Sequence, residues 1–530
     1  MATAEAGIAV SLAVRAFHGG VRLARFKEGV RGKPSCEAPL PQRLIFPLHA
    51  HVGTPTRPVV RVGQCVLRGE LIAAPGAYVS QAIHASTSGV VAEIGAHPVA
   101  HPSGLSDTCI VLEADGEGSA VEPWPALDFE LVTLAALQAR IVDAGIIGMG
   151  GAGFPSHVKL KEGMGHSVRM LIINGVECEP YINCDDCLMR ERAAHVVSGA
   201  RMLKRAVQAE ACVIAVEEDM PEAAAALAPF LGDGIELALV PAIYPAGGEK
   251  QLIMALTGME VPTHGLPIQA GIVMHNVATA VAVYEAVALG QPLTARMITV
   301  TGGVANPANV WTPIGTPISH LIDYCGRVQS IDRVIVGGPM MGTAVLSEAV
   351  PVGKTTNCVL ALRRDQKTAH PMPCIRCGEC VEVCPARLQP QALYEFARAK
   401  DWDSAQNYYL FDCIECGACA YVCPSNLPLV HYYRYAKSEI EALESAQARS
   451  IELKQRFETR QSRLESEGPS STITQEEELE PAEERPSTQS QREVIQQEVA
   501  EAIARGRAKR QLLREEGAKH GSGPDEGPQP

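Results

Sequence analysis

Two cysteine clusters constrain this chain more than any other feature of its sequence. One reads C-I-R-C-G-E-C-V-E-V-C-P from Cys374, and the other reads C-I-E-C-G-A-C-A-Y-V-C-P from Cys413. In the spacing C-x2-C-x2-C-x3-C-P, three thiolates can surround one iron-sulfur cubane while the fourth points toward a second. Gly378 and Gly417 occupy the same slot, where the backbone approaches the sulfides. The duplication predicts two [4Fe-4S] clusters, whereas zinc usually takes four ligands as two separated pairs.

The crossed ligation of two-cluster ferredoxins predicts which cysteines serve which cluster. The first cluster is assigned Cys374, Cys377, Cys380 and Cys423, and the second is assigned Cys413, Cys416, Cys419 and Cys384. A helix is expected over Gln391 to Lys400, so the clusters should lie in a partly helical domain. Among the other nine of the 17 cysteines, three lie close together without a fourth ligand pattern and are expected to be ordinary buried thiols: Cys178, Cys184 and Cys187.

Composition argues against several classes of protein. The chain has 530 residues, 46% hydrophobic and 20% charged, which is typical of several folded globular domains. Its 46 Lys and Arg against 60 Asp and Glu give a net charge of -14, so nucleic acid is not an expected partner. Residues 1–30 lack the pattern of an export signal. The apolar stretch from Gly271 to Gly290 contains His275, Asn276 and Glu285, and is predicted to be a core helix rather than a membrane span.

Residues 30–125 are predicted to form an all-β module. Short runs of Val, Leu and Ile alternate there with Gly, Pro and Ser, and His84 to Val91 reads H-A-S-T-S-G-V-V. This stretch resembles the barrel-sandwich modules of biotinyl and lipoyl carriers. No lysine that could bear a prosthetic group occurs between Lys33 and Lys159, so a docking or structural role is expected. Three histidines of the module are expected to be surface or packing residues: His49, His51 and His84.

Four further regions follow along the chain. Residues 130–292 alternate helical patterns with β-branched runs, which predicts an α/β layer domain. Residues 295–345 offer short strands around Gly and Pro turns and predict a small α+β module. Residues 365–435 hold the cysteine clusters. Residues 440–530 are highly charged, with Phe457 as their one aromatic residue, and predict a largely disordered tail. The expected fold class is therefore multidomain α/β and α+β.

A glycine-rich loop opens the α/β region. The chain reads G-I-I-G-M-G-G-A-G-F-P from Gly145 to Pro155, and these glycines let backbone N–H groups approach a phosphate or a planar ring. Alone, the loop is weak evidence, because it lacks the G-K-[ST] ending of a P-loop and no strand precedes it. Three later segments place Asn, Glu or Gly beside predicted strand ends or helix starts, where α/β sheets bind ligands. They begin at Asn174, Tyr244 and His275.

The order of these motifs resembles a known family. The series G-x-G-G-A-G-F-P-x-x-x-K, N-x-x-E-x-E-P, Y…G-E and N-V-x-T is similar to the flavin-bearing NADH-binding subunit of respiratory complex I. With the carrier-like module in front and two clusters behind, residues 10–435 resemble the C subunits of Rnf ion-translocating electron-transport complexes. The resemblance implies an N-terminal barrel-sandwich hybrid, an FMN- and NADH-binding α/β domain, a soluble-ligand-binding β-grasp module and a two-cluster ferredoxin-like domain.

The same resemblance implies a set of site residues. Lys159 would meet the FMN phosphate, Phe154 would stack on the nicotinamide nucleotide, and Tyr244 would lie beside the flavin pocket. The loop residues implied to contact flavin and nucleotide through their backbone are Gly148, Gly150, Gly151 and Gly153. The residues implied to line the flavin pocket are Asn174, Glu177, Glu179, Gly248, Glu249, Asn276 and Thr279. No catalytic side chain is implied, because the flavin itself accepts the hydride.

Three positions depart from the complex I pattern. Val176 stands where an Asp is expected, Lys250 replaces the second acid after the Gly248 motif, and His275 replaces an Asn. These departures leave the flavin interpretation intact and bear on the expected nucleotide contacts. The β-grasp module is expected to be structural.

The implied function is electron input. Electrons would pass between NADH, non-covalently bound FMN and two [4Fe-4S] clusters toward partner subunits, linking ferredoxin:NAD electron transfer to ion movement. The implied partners are membrane-embedded subunits and an iron-sulfur subunit, which would hold the chain peripherally at the cytoplasmic face of a bacterial inner membrane. Two alternatives remain open: a soluble NADH-oxidising subunit of a hydrogenase or formate dehydrogenase, and a non-catalytic iron-sulfur scaffold.

Overall fold

The computed structural model describes residues 14–163, 167–263, 265–329, 331–363 and 370–466. Residues up to Gln447 belong to one structural unit, and those from Ala448 onward belong to a second.

The N-terminal region is built from strands that pair antiparallel with one another, except for the first, which pairs parallel with a later strand. They are β1 (Cys36–Glu37), β2 (Arg43–Pro47), β3 (Arg57–Pro58), β4 (Cys65–Val66), β5 (Leu71–Ala74), β6 (Ile83–His84), β7 (Gly89–Pro98) and β8 (Ser106–Ala114). One sheet has the order β2-β8-β7-β4, the other has the order β3-β5-β6, and β1 joins a later sheet. Leu44, Phe46 and Ile110 are buried between them. This arrangement confirms the predicted all-β module.

The three histidines of this module make separate contacts. His49 contacts the Gly53 carbonyl through Nε2 at 3.1 Å, and His51 accepts the Gln81 amide at 3.2 Å. His84 is buried, and this burial lowers its pKa to about 3. Within the described part of the chain these side chains form no cluster of metal-ligating groups.

The central domain is a parallel sheet covered by helices. Its strands are β9 (Met170–Gly175), β10 (Ala211–Glu217), β11 (Ile235–Val240) and β12 (Ile272–Asn276), in the order β11-β10-β9-β12. Its helices are α1 (Leu134–Asp143), α2 (Ser156–Gly163), α3 (Cys184–Glu191), α4 (Ala193–Ala206), α5 (Pro221–Leu227), α6 (Glu249–Thr257) and α7 (Val277–Ala288). The strands are apolar runs buried on both faces, as parallel sheets require, and the α/β prediction is confirmed.

The predicted single helix from Gly271 to Gly290 is wrong in its first part. Residues 272–276 form β12, and α7 begins only after Asn276, whose side chain caps the helix by accepting the Ala278 amide at 2.8 Å. A short apolar run does not separate strand from helix by periodicity alone. The pairing of this run with β9 in the sheet decides the outcome.

The third sheet combines strands from distant parts of the sequence. Its later elements are β13 (Ala295–Gly302), β14 (Ala308–Pro313), α8 (Ile318–Tyr324), β15 (Ile331–Val336), β16 (Thr343–Val345) and β17 (Cys358–Arg363). The strand order is β1-β14-β13-β17-β15-β16. The sheet therefore includes β1 and β17, which both lie outside the predicted module of residues 295–345.

Two buried cations tie three modules together. The Lys354 ammonium donates to the carbonyls of Ala82 at 2.6 Å and Gly145 at 2.7 Å, so it joins the N-terminal module to the start of the glycine-rich loop. Burial lowers the pKa of Lys354 to about 7. Arg296 donates to the carbonyls of Met149 and Lys354. These contacts fix the base of the loop.

The cysteine-rich region is partly helical, as predicted. Its helices are α9 (Glu379–Glu382), α10 (Pro390–Ala399), α11 (Trp402–Asn407), α12 (Ala418–Tyr421) and α13 (Leu429–Ser466). Tyr433, Ala436 and Ile440 of α13 are buried in the core of this region. Residues 440–466, which belong to the predicted disordered tail, are thus helical, and residues 467–530 lie outside the described part of the chain.

A close helix contact offers a test of the packing. A Cβ added at Gly199 of α4 would overlap the backbone of Ala280 in α7. We expect Gly199→Ala to destabilise the folded chain by about 1–3 kcal/mol, because the two helices must separate. Gly353→Ala is the control, since its Cβ would meet nothing closer than 3.8 Å. Urea unfolding and hydrogen exchange of the α4 amides would measure the effect, and equal behaviour of both variants would refute it.

Candidate functional site

Polar groups gather at the carboxyl edge of the parallel sheet. Asn174, Glu217 and Asn276 lie at or next to the ends of β9, β10 and β12. Asn174 donates to the Gly247 carbonyl at 2.9 Å and accepts the Val176 amide at 2.9 Å. The bond to Gly247 joins the end of β9 to the segment that precedes α6. Both segments therefore lie at the carboxyl edge of the sheet, where parallel α/β sheets bind ligands.

The glycine-rich loop lies over this edge and is pinned at both ends. The Gly148 amide donates to the Phe154 carbonyl at 2.8 Å, and the Thr279 hydroxyl accepts the Met149 amide at 3.0 Å. At Gly150 an added Cβ would lie 3.2 Å from Asn276 Cβ. Gly151 has φ +115° and open space on its Cβ side. The loop tip is therefore held close to the sheet edge, with a backbone that tolerates only glycine at Gly151.

The tip of this loop keeps hydrogen-bonding capacity free. Among the described residues, the amides of Gly150, Gly151 and Gly153 donate to no other protein group. Phe154 is half-buried beside them. Successive free backbone amides in such a loop can form a concave site that binds phosphate oxygens or the polar edge of a ring system. The loop thus fits the group that its sequence predicts.

Lys159 supplies a positive charge near the loop. Its Nζ lies 2.9 Å from Glu249 Oε1 and donates to the Met274 carbonyl at 3.0 Å. Glu249 is the first residue of α6, and Gly248 is its N-cap. An ammonium has three donors, so these two contacts leave one for a phosphate. Lys159, Gly248 and Glu249, which are all predicted for the flavin site, therefore lie close together.

Four buried or partly buried acids lie behind the edge. Glu177 accepts the Asp185 amide at 2.9 Å, and Lys27 donates to its carbonyl at 2.6 Å, with the ammonium 3.8 Å from the carboxylate. Burial raises the pKa of Glu177, Asp185 and Glu179, and it raises the pKa of Glu217 to about 7 although Lys27 and Arg25 oppose the shift. The edge therefore carries less negative charge than its residue count suggests.

Two residues implied to belong to the flavin pocket make contacts elsewhere. Glu179 accepts the amides of Met340 at 2.8 Å and Met341 at 2.9 Å, and so binds the turn after β15. The Tyr244 hydroxyl donates to the Cys416 carbonyl at 2.5 Å. Both residues thus join the central domain to a neighbouring region.

Four cysteines predicted for the second cluster line one cavity. Cys384 enters it from the first repeat, and the other three come from the second repeat, beside Tyr433. The cysteine set is Cys384, Cys413, Cys416 and Cys419. Gly417, at φ +78°, lets the loop turn without strain. Burial raises the pKa of Cys413 to about 11 and of Cys416 to about 12. A cationic iron-sulfur core supplies the charge that would let such thiols ionise.

The cysteines predicted for the first cluster lie nearer to solvent. Cys374 and Cys377 are exposed, and Cys380 and Cys423 are half-buried. Burial raises the pKa of Cys380, and electrostatic interactions with Cys377 and Cys423 add to the rise. Gly378 has φ +88°, matching the equivalent glycine of the second repeat.

The three remaining clustered cysteines are buried. Cys178, Cys184 and Cys187 are free thiols. Cys184, Glu177 and Asp185 offer donor atoms within 4.8 Å of one another, but the Glu177 carboxylate already accepts backbone amides there. Hydrogen bonds within this segment therefore account for the closeness of Cys184, Glu177 and Asp185.

Sequence reasoning missed two groups of the site. Lys27 and Arg25 reach the buried acids from a segment whose residues gave no functional signal. Glu217 is also missed, although an acid at the carboxyl end of an apolar strand is a signal that could have identified it.

Four known domain families match the chain in order. They are the "RnfC Barrel sandwich hybrid domain" over residues 15–117, the "Nuo51 FMN-binding domain" over 141–285, the "SLBB domain" over 297–344 and the "4Fe-4S dicluster domain" over 372–427. The cofactors are FMN and [4Fe-4S] clusters, in agreement with the free loop amides and the cysteine-lined cavity.

Relatives that match 85% of this chain decide the family. The C subunit of the ion-translocating oxidoreductase complex of Yersinia pestis is 45% identical over 85% of this chain and 73% of its own length. The chain belongs to this family of C subunits. The Pseudomonas aeruginosa member is 46% identical over 85% of this chain. The matched region spans only 59% of that member and 57% of the Erwinia tasmaniensis member.

A solved structure gives a weaker match. The crystal structure of an NAD+-reducing [NiFe]-hydrogenase in the H2-reduced state aligns with a TM-score of 0.43 and 21% identity, covering 60% of this chain and 63% of that one. The score is too low to show a shared fold. In the described part of this chain, none of the helices combines the length and apolarity needed to cross a membrane.

The buried acid at the sheet edge predicts a pH effect. The pKa of Glu217 lies near 7 in the folded chain, against 4.5 ordinarily. Between these pH values Glu217 keeps its proton in the folded chain and loses it in the unfolded chain, so its contribution to the stability falls as the pH rises, by about 3 kcal/mol. Glu217→Gln should make the loss of stability over this pH range smaller by this amount, while Glu222→Gln, with an exposed side chain, should leave it unchanged. Urea unfolding from pH 4.5 to pH 7 measures both, and parallel curves for wild type and Glu217→Gln would contradict the assignment.

Proposed function

We propose that the chain is the electron-input subunit of a membrane-bound ion-translocating electron-transport complex. Electrons would move between NADH, FMN and two [4Fe-4S] clusters toward partner subunits, in the direction of ferredoxin:NAD electron transfer or its reverse. The family name of the relatives supports the complex, and the domain matches support the cofactors.

One observation carries this proposal. The cluster-binding loop is part of the core of the FMN-binding domain: Cys416 and Ala418 pack in the same apolar cluster as Ile172 of the central sheet. Tyr244 adds the hydrogen bond to the Cys416 carbonyl. Because electron transfer needs short distances, a cluster loop built into the flavin domain favours direct transfer over a scaffold with separate parts.

The flavin would be held at the carboxyl edge of the sheet. The free amides of Gly150, Gly151 and Gly153 would bind its polar groups, and Lys159 would bind its phosphate in exchange for part of its contact with Glu249. Asn276 and Thr279 would keep the loop at its present height above the sheet. When bound, FMN accepts hydride from a nicotinamide nucleotide and releases electrons singly to iron-sulfur clusters.

The cysteine sets would hold two clusters with crossed ligation. Cys384, although it is the last cysteine of the first repeat, lies with three cysteines of the second repeat around one cavity. Cys423 interacts electrostatically with Cys380 of the first repeat. The second cluster would therefore lie next to the flavin domain, and the first, with exposed Cys374, would pass electrons on.

The nicotinamide nucleotide would bind on the outer side of the loop. Phe154 is half-buried and available for stacking there. Val176 and His275, which replace polar residues of the complex I pattern, are buried, so the nucleotide contacts would rest on the loop itself. Membrane-embedded and iron-sulfur partner subunits would hold the chain peripherally at the cytoplasmic face of the inner membrane.

Cluster content provides a first test. Anaerobically purified chain should contain about eight iron and eight sulfide atoms per chain. Cys416→Ser should lose roughly half of them, since one cubane loses a ligand. Cys212→Ser is the matched control, because Cys212 is buried in β10 away from both cysteine sets. Unchanged iron in Cys416→Ser would rule out the assignment of that ligand.

Reduction by NADH tests the activity and separates the alternatives. In wild-type chain loaded with FMN, NADH should bleach the flavin band at about 450 nm and then reduce the clusters. A non-catalytic scaffold would show no bleaching. A soluble hydrogenase-type or formate dehydrogenase-type subunit would bleach, but the chain would co-purify with a soluble enzyme rather than with membranes of its source cells.

A further inference from the structure

An extended N-terminal segment crosses the region between the cluster loop and the flavin domain. We define residues 14–27 as the strap. It has no helix or regular strand in its described residues. Its apolar side chains Val14, Phe17, Val21 and Leu23 pack against the same core that contains Cys416 and Ala418. The extended conformation of the strap is therefore maintained by its packing against this core.

The first half of the strap binds the turn that carries Cys384. The Gly20 amide donates to the Val383 carbonyl at 3.0 Å, and His18 Nδ1 donates to the Cys384 carbonyl at 3.1 Å. Gly19 lies so close that a Cβ there would be 2.7 Å from the Val383 carbonyl oxygen and 2.9 Å from the Cys384 carbonyl carbon. Only glycine permits this approach.

The middle of the strap binds the Tyr244 segment. Val21 and Tyr244 exchange two backbone hydrogen bonds, at 2.8 and 2.9 Å. The hydroxyl of the same tyrosine donates to the Cys416 carbonyl. Two of the four cysteines assigned to the second cluster are therefore tied to the strap, Cys384 directly and Cys416 through one residue.

The second half of the strap binds the buried acids behind the carboxyl edge of the central sheet. Arg25 lies 3.3 Å from Glu217 and 3.1 Å from Asp219, and it donates to the Cys178 carbonyl. Lys27 donates to the Glu177 carbonyl at 2.6 Å and faces its carboxylate. One continuous segment thus contacts the ligand turn of the second cluster at one end and the carboxyl edge of the sheet at the other.

We propose that the strap is a positioning element that sets the placement of the second cluster relative to the flavin site. This inference rests on the proposed function. Residues His18, Gly19 and Gly20 act on the cluster through the Cys384 turn and contact no reacting group. Displacing them should alter electron transfer into the second cluster and its reduction potential, while the first cluster and the flavin site keep their properties.

A pair of glycine variants tests the strap. Gly19 and Gly32 have nearly the same backbone angle, φ +70° and φ +73°, so alanine strains both positions alike. At Gly32 an added Cβ meets nothing within 4 Å, whereas at Gly19 it meets the Cys384 turn. In Gly19→Ala, reduction of the second cluster after flavin reduction should slow roughly tenfold or more, because small displacements of reacting groups cost large factors in rate. Gly32→Ala should match the wild type.

The measurement is rapid freezing of the FMN-loaded, cluster-replete chain after mixing with NADH, with each cluster followed by its electron paramagnetic resonance signal. Selective loss of the second cluster in Gly19→Ala, with FMN and the first cluster retained, would equally support the strap. Equal rates and signals in both glycine variants would overturn it. If the wild type bleaches its flavin and never reduces a cluster, the proposed function fails, whatever the variants do.

If Gly19→Ala does not fold, a second variant tests the proposed role of the strap. His18→Leu removes the donor to the Cys384 carbonyl and inserts no atom into the contact. Loss of a donor dipole beside a cluster disfavours its reduced form, so the midpoint potential of the second cluster should become more negative while that of the first stays the same. Identical potentials in His18→Leu and wild type would refute the strap's role.

Discussion

The packing of the second cysteine loop into the core of the parallel-sheet domain is the constraint on which the rest of the site depends. Cys416 and Ala418 share an apolar cluster with sheet residues, and Tyr244 adds a hydrogen bond to the loop backbone. A cavity for an iron-sulfur cluster is a weak point in a core, because its cysteines gain their full stabilisation only when metal is bound. Here the surrounding domain supplies order that the loop could not supply for itself.

Charge compensation behind the carboxyl edge of the central sheet follows the same logic. Glu177 and Glu217 are buried, and an isolated ionised carboxylate would be costly there. Lys27 and Arg25 reach them from the strap, so the acids and the strap stabilise each other. The raised pKa of both acids shows that burial outweighs these cations. The edge consequently carries less negative charge than its number of acids suggests, which lowers the repulsion of an anionic group at the adjacent loop.

Local motifs predicted much of the fold and the cysteine sets, because close spacing in sequence fixes close spacing in space. The cysteine repeats, the glycine loop and the β9 and β10 strands are of this kind. Contacts between distant segments could not be read in the same way. Lys27 meets Glu177 across 150 residues, and Tyr244 meets Cys416 across 172. A resemblance places Tyr244 near a pocket, but only the packing shows which loop its hydroxyl binds.

The two cysteine repeats show how one residue gives two equivalent loops different surroundings. Arg376 and Glu415 occupy the same slot, and both have φ +57°. Arg376 is exposed, whereas Glu415 binds Arg434 and Lys437 of α13 at 2.9 Å each.

Burial would raise the pKa of Glu415, but these two cations outweigh it and hold the pKa below its usual value. Lys437 also donates to the Cys413 carbonyl at 2.7 Å, and Arg434 to the Met341 carbonyl at 3.3 Å. The acid therefore anchors the second loop between the long helix and the third sheet, while the first loop stays at the surface. A duplicated motif that is symmetric in spacing thus becomes asymmetric in environment, and under the proposed function this asymmetry would give the pair of clusters an inner and an outer member.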